Sequence, residues 1–343
     1  MASKLAFSPK AVSLELLAEL PDRSRAILID RYGLSGSAQK RTLEAIGQEY
    51  SITRERVRQI ENHALAAIRA SESYRAHHQT TFQELKSAID ALGSVLSEAS
   101  IVNALGGAED GQHLVFLLTV GQPFQYAKET PEYVARWMTD AQLAEQVHAA
   151  LAELAGIISR DDLIAEEEIM RRFEGALAKY GVKKADAAQL SYWLALSRMI
   201  AKNPLGEWGR ADSPLTRVKS MRDFAYLTLK RHGSPMHFTE VAETIEKLFG
   251  RKAHPATCHN ELINDQRFVL VGRGLYALAE WGYHPGVVRD VIREILAKEG
   301  PLSREEVIER VKRERYVKDA TITVNLQDTM FVCTPDGKYA VAA

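Results

Sequence analysis

Apolar positions recur at spacings of three and four residues along most of the chain, which predicts short amphipathic helices. Strand-like runs are fewer: FVLVG (268–272), LYALAEW (275–281), MFVCT (330–334) and KYAVA (338–342). The turns between them, RG and PDG, contain glycine, as tight hairpins require. Residues 221–283 run DFAYLTLKRHG, SPMHFTEVAETIEKLFG, ATCHNELIND, RFVLVGRGLYALAEW. Residues 287–343 run VVRDVIREILAKEG, PLSREEVIERVKRER, DATITVNLQD, MFVCTPDGKYAVA. Both predict three helices and a two-stranded hairpin, the order of a winged helix. The breaks HGSPMHF and EGPLS sit at matching places. The repeat of roughly 60 residues is too long for the usual solenoids.

The middle carries weaker signals. ALGSVLSEASIVNALG (91–106) reads as helix, break, helix, and LSYWLALSRMIAKNPLGEWG (190–209) as a third helix running into a wing. Two degenerate winged helices are expected between 80 and 216, with an irregular helical bundle as the alternative. The expected fold class is mainly α, a helix-turn-helix followed by tandem winged helices with small β-hairpin wings. Polar or Pro- and Gly-containing stretches at 71–81, 139–142, 203–214 and 281–286 are candidate boundaries. The division expected from them is 1–75, 80–142, 143–216, 217–283 and 285–343.

The composition is that of an ordinary globular protein: 343 residues, 46% hydrophobic and 26% charged, with a formal net charge of -1. That charge is uneven. Residues 1–78 hold 12 Lys+Arg against 9 Asp+Glu, a net of +3, residues 79–216 hold 12 against 19, a net of -7, and residues 217–343 hold 20 against 17, a net of +3. The acidic middle suits a basic protein surface better than a phosphate backbone, or is simply solvated. Two distant cysteines, Cys258 and Cys333, make a disulfide framework implausible. With no apolar run of membrane-spanning length and no secretory leader pattern, a cytoplasmic location and no membrane partner are expected.

Residues 42–70, TLEAIGQEYSITRERVRQIENHALAAIRA, carry the most chemistry. A helix is predicted over 43–50, a turn at 51–53, and a second helix capped by Thr53, without the acidic partner of a capping box. That is the plan of a DNA-binding helix-turn-helix. At about 100° per residue, Arg54, Glu55, Arg58, Gln59 and Asn62 share an arc of roughly 140°. Val57, Ile60, Ala64, Ala67 and Ile68 fall on the opposite side and are expected to face a core. Arginine pairs with guanine O6 and N7, glutamine with adenine N6 and N7, and glutamate accepts from cytosine N4. Lys40 and Arg41, just ahead of the first helix, are candidate phosphate contacts.

LPDRSRAILIDRYGL (20–34) and KRTLEAIGQEYSITRERVRQIENHALAAIR (40–69) resemble region 4 of bacterial primary sigma factors. The family pattern T-R-E-R-[IV]-R-Q-I-E stands intact from Thr53 to Glu61. The resemblance implies that the second helix enters the major groove of a minus-35-type promoter element. It implies base and backbone contacts from Arg54, Glu55, Arg58 and Gln59, with Arg56 near phosphate. The helices before it resemble the part that cups the β flap of RNA polymerase. Nothing resembles sigma region 2, and the family's basic A-L-[RK]-K-L-R end is ALAAIR here, so a complete sigma factor is not expected.

Residues 219–283, above all RFVLVGRGLYALAEWG (267–282), resemble the HARE-type winged helix of the RNA polymerase delta subunit, chromatin proteins and restriction-enzyme fusions. DNA reading by its third helix would fall to His254, Thr257, His259, Asn260 and Asn264, with Arg267 and Arg273 at the wing. The alternative is a helix that only packs, or a module that binds protein. Lys318, Thr321, Asn325 and Gln327 are the corresponding positions in the last segment.

Other clusters read as structure. Cys258 beside His259 lacks the four convergent ligands of a zinc site. Asp161, Asp162 and Glu166 to Glu168 form a run on one element, not the converging carboxylates of a two-metal nuclease. PDGK (335–338) is a hairpin turn, and GRG (272–274) lacks P-loop spacing. His77 and His78 fall in an expected linker. Trp137, Trp193, Trp208 and Trp281 read as core plugs. No enzyme, cofactor or metal is expected. The functional expectation is a transcription protein that reads promoter-like double-stranded DNA and contacts the RNA polymerase core, the β flap included. Two other readings stay open: a polymerase-associated adaptor binding protein rather than DNA, and the specificity subunit of a restriction or modification system.

Overall fold

Polar side chains cap four of the first five helices. The computed structural model describes residues 5–36, 39–182, 184–283, 287–315 and 317–342. Helix α1 (Pro9–Ala18) starts at Ser8, whose hydroxyl accepts from the Ala11 amide, and α2 (Asp22–Tyr32) ends at Gly33 in the left-handed region. Thr42, Thr53 and Ser71 cap α3 (Leu43–Glu49), α4 (Arg54–Ala70) and α5 (Glu72–His78) in the same way as Ser8. Ile27, Ile46 and Val57, all fully buried, hold α2, α3 and α4 together.

The chain continues with α6 (Thr81–Leu92), β1 (Val95–Ser97), α7 (Glu98–Ile101), a π turn at Val102–Gly106, α8 (Gly107–Val120), β2 (Gln125–Ala127) and β3 (Arg136–Met138). These strands form an antiparallel sheet in the order β1-β3-β2, with Trp137 opposite both Leu96 and Tyr126. Helices α9 (Ala141–Ile157), α10 (Glu166–Lys179) and α11 (Ala187–Leu194) precede β4 (Ile200–Lys202) and β5 (Trp208–Arg210). Backbone contacts divide the chain into two compact units. One runs to Ser159 and includes Ile164–Ala201; the other comprises Arg160–Leu163 and the chain from Lys202 on.

In the first unit, one core unites the helix-turn-helix with the elements after it. Leu16, Leu28, Ala64 and Ile68 pack with Phe82, Leu85, Leu114, Phe116 and Leu117. Arg69 near the end of α4 donates to the carbonyls of Thr119 and Val120, satisfying the open C-terminal end of α8.

The second unit contains α12 (Met221–His232), β6 (Met236–His237), α13 (Phe238–Phe249), α14 (Pro255–Asn264), β7 (Phe268–Gly272) and β8 (Leu275–Leu278), followed by a 3-10 turn at Ala279–Trp281. Its sheet order, β6-β8-β7, repeats that of β1-β3-β2. Then come α15 (Val288–Glu299), α16 (Arg304–Glu314), α17 (Asp319–Asn325), β9 (Phe331–Cys333) and β10 (Tyr339–Val341), with Leu302 bridging to Tyr339 where the two three-stranded sheets have their first strand. This is a mainly α protein of helix-turn-helix and winged-helix type. Among the described residues, no helix is long and apolar enough to cross a membrane.

Several expectations change. LYALAEW is a strand only to Leu278, because Ala279–Trp281 turn as a 3-10 helix. Strands β4 and β5 fall where 190–209 was expected to run into a wing, whereas β1, β2, β3 and β6 are not marked by the sequence, since two or three residues are too few to show alternation. Residues 71–81 hold α5, and its Tyr74 is 3% exposed against Phe82, with ring centroids 5.1 Å apart. His77 and His78 are therefore helical, and His77 contacts Thr81 and Glu15. Asp140, inside the 139–142 stretch, caps α9. Of the 281–286 stretch, 284–286 lie outside the described residues. Ala67 is exposed and Leu65 is buried instead, because α8 packs on a second side of α4 that the local pattern does not report.

Candidate nucleic-acid interface

The turn between α3 and α4 sets the angle at which α4 is presented. A Cβ at Gly47 would come within 2.7 Å of the Ile52 carbonyl oxygen, so only glycine allows this approach. The Ile52 amide donates to the Gly47 carbonyl at 2.9 Å, and Ser51 takes a positive φ of 52°. Thr53 then caps α4, its hydroxyl accepting from the Arg56 amide at 3.1 Å. Val57 at 0% exposure seats the helix.

That seat turns Arg54, Glu55, Arg56, Arg58, Gln59 and Asn62 outward, and all six are exposed. They are organised among themselves. Arg58 grips Glu55 through two hydrogen bonds, Nε to Oε2 at 2.9 Å and Nη2 to Oε1 at 2.7 Å. Arg56 donates to the Gln59 amide oxygen at 3.2 Å. The Arg58 hydrogen bonds hold the Glu55 carboxyl below the usual range, and Glu55 raises Arg58 in return. Exposed pairs of this kind bind weakly and exchange readily for a stronger partner, so they pre-orient the side chains without locking them.

Glu61, the last residue of the motif, works inward. Its carboxylate, 13% exposed, accepts from Tyr32 Oη at 3.1 Å and from Arg31 Nε at 3.4 Å, clamping α4 to α2. Burial and the Glu61 charge push the Tyr32 phenol well up. Arg23 and His63 were not singled out by spacing, yet they line one groove with Arg56 and Gln59. His63 lies one turn beyond Gln59 and was legible in principle. Arg23 belongs to α2 and was not.

The two cations ahead of α3 are engaged. Arg41 pairs with Asp30 at 3.3 Å and also with Glu49, which raises its pKa. Lys40 Nζ lies 2.6 Å from Glu98 Oε1. Phosphate contact by either would have to displace a carboxylate.

The winged-helix candidates differ. His254, Thr257, Asn260 and Asn264 are exposed on or beside α14, whose sequence PATCHNELIN contains no Lys or Arg. His259 is stacked on Phe238, with centroids 4.4 Å apart, and edges onto Tyr276, which makes it a packing residue. Arg267 is held by Asp265 at 2.6 Å and Asp223 at 3.0 Å and lies over the Tyr226 ring, so it ties the hairpin to α12 and does not extend from a wing. Arg273 is exposed in the turn that Gly274 closes at a φ of 71°, where a Cβ would collide with His237. In the last segment Lys318, Thr321 and Gln327 are exposed, while the Asn325 amide donates back to the Thr321 carbonyl at 2.8 Å.

The other clusters remain structural. The Cys258 thiol is buried and pushed up to about 11 by desolvation, the opposite of a metal-binding or reactive thiolate. Glu168 is bound by Arg171 and Arg172 on its own helix, which lowers it to about 2.

Residues 16–70 match the family described as Sigma-70, region 4. Residues 219–281 match the HARE-HTH family, whose description includes a restriction endonuclease HTH domain. Among curated relatives, the RNA polymerase sigma factor RpoD of Helicobacter pylori is 43% identical over 63 residues, which are 18% of this chain and 9% of that protein. The RNA polymerase principal sigma factor HrdD of Streptomyces griseus is 40% identical over 68 residues, 20% of this chain and 19% of that one. The sigma factor SigA1 of Synechococcus elongatus is 50% identical over 54 residues, 16% and 13% of the two chains. The chain thus spans less than a fifth of the length of each of these relatives. The likeness lies in the N-terminal segment that carries α4.

Proposed function

We propose that this chain is a non-catalytic, cytoplasmic DNA-binding transcription protein that reads promoter-like duplex DNA with the N-terminal half of α4 and contacts the RNA polymerase core. The observation that carries this is the exposed row Arg54, Glu55, Arg58, Gln59 and Asn62, presented by a capped helix on a buried seat. Region 4 of the sigma family supports the same assignment. In this reading Arg54, Arg58 and Gln59 meet base edges and Arg56 meets phosphate. The apolar side shared by α1, α2 and α4 is filled by α8, so a polymerase contact on this module, including one to the β flap, uses polar surface unless α8 swings out. We take the helix-turn-helix as one module and each later run of helices with its hairpin as another, on the division 1–75, 80–142, 143–216, 217–283 and 285–343.

A second reading assigns the 217–283 module to protein. What favours it is α14: it carries no cation and leaves Ile263 59% exposed. DNA affinity would then reside in α4 alone, and the winged helices would act as an adaptor surface.

The test is a fluorescence-anisotropy titration of the full chain with a duplex carrying TTGACA and with a scrambled duplex, at two salt concentrations. Wild type is expected to prefer TTGACA, and Arg58→Ala to cut that preference by about 5- to 150-fold, the value of one bidentate base contact. Equal, weak binding of both duplexes, unchanged by the substitution, would transfer the function to the adaptor reading.

A further inference from the structure

A hollow of about 380 Å³ opens in the first unit, between the end of α2 and the elements α7, α8 and β3. Four aromatic side chains line it, Tyr32, Phe124, Tyr126 and Trp137, and its charged groups are Arg31, Lys40 and Glu98. Tyr126 is 49% exposed, an unusual position for a ring that leans on Trp137 at a centroid distance of 4.9 Å. Trp137 is only 6% exposed and belongs to the core, so its ring backs the hollow from within. Of the two cations, Arg31 already serves Glu61 and the Arg41 carbonyl. Among the described residues Lys40 pairs with Glu98, and both side chains are about a third exposed, at 37% and 35%. An entering anion can therefore exchange with Glu98 for Lys40.

We propose that this hollow is a binding site for a flat aromatic carboxylate. The rings enclose the ligand's aromatic part, and Lys40 leaves Glu98 to pair with the carboxylate. The volume suits a small ligand, since such sites span roughly 300–1,000 Å³. Nothing in the DNA-reading role of α4 requires this site, so either can fail without the other. Lys40 lies two residues ahead of Thr42, the cap of α3, which puts an effector pocket beside the helix-turn-helix.

The test follows the tryptophan indole N–H signals of the ¹⁵N-labelled full chain by NMR during titration with 2-naphthoate, and separately with its uncharged analogue 2-naphthamide. Loss of one signal in Trp137→Phe identifies the reporter. The Trp137 signal is expected to shift saturably with naphthoate, with a Kd on the order of 1 mM for so small a probe. The amide is expected to bind at least about 5-fold more weakly, as fits the loss of a charge-assisted contact. Glu98→Gln frees Lys40 and is expected to tighten naphthoate binding, while Lys40→Met removes the preference over the amide. Tyr126→Ala, at an exposed ring, is expected to weaken both probes with the fold intact by circular dichroism. A Trp137 signal unmoved at roughly 10 mM naphthoate, a limit well beyond the expected Kd, would overturn the proposal. So would equal binding of acid and amide by wild type, or a Glu98→Gln chain that binds naphthoate no better.

Discussion

Helices α4 and α14 occupy the recognition position of two related folds and show opposite surfaces. Beyond a seat of Val57, α4 turns out three arginines, a glutamate, a glutamine and an asparagine. Beyond a seat of Cys258 and Leu262, α14 shows small and amide side chains and an exposed Ile263. Its imidazole at 259 is spent on stacking, and the nearby Arg267 is tied down by two aspartates. Place in the fold positions a helix for reading, and only side-chain chemistry makes it a reader. The two helices also differ in their support. α4 is pinned from behind by α8 and by Glu61, whereas α14 lies against α12, α13 and its own hairpin.

Three changes sharpen that comparison. The largest effect belongs to Leu262→Ala, which empties a position 1% exposed on the inner side of α14. It is expected to cost about 2–5 kcal/mol in the unit that contains α14. Hydrogen exchange of the α12–α14 amides would report the loss, while affinity for the TTGACA duplex stays as in wild type. A matching loss of DNA affinity would mean that α14 shares in the reading.

Gly47→Ala acts on the other helix. Its methyl group meets the Ile52 carbonyl, so the α3–α4 turn must open, at about 1–3 kcal/mol for an overpacked contact. Both the urea midpoint of the first unit and the preference for TTGACA should fall. If stability falls and the preference does not, the angle of α4 is not what sets its reading. The smallest effect is expected from replacing Asn260 and Asn264 together by alanine. Stability should change by less than about 0.5 kcal/mol, as for ordinary surface sites, and anisotropy with the TTGACA duplex should not change. A clear loss of DNA binding would erase the distinction between the two helices.

How much of this was legible varies residue by residue. Thr53 as a cap, the turn at 51–53, the outward row from Arg54 to Asn62, and the pairing of 268–272 with 275–278 all follow from neighbours within a few residues. Spacing puts Ala67 on the core side and does not single out Leu65, because α4 has two partners, one of which begins some forty residues later. The short strands β1 to β3 carry no alternation, and only their pairing with one another makes them strands.

The amino-acid sequence by itself determined the capped helix, its exposed polar row and the two C-terminal repeats of three helices and a hairpin. Helical periodicity, capping and turn geometry act between residues at most four or five apart, so they can be read along the chain. The tertiary structure alone decided which charges are already paired: Arg41 with Asp30 and Glu49, Lys40 with Glu98, and Arg267 with Asp223. It alone brought Tyr32, Tyr126 and Trp137 around one hollow. Ion pairing and burial depend on distance in space, and these partners come from places in the chain that no local pattern links.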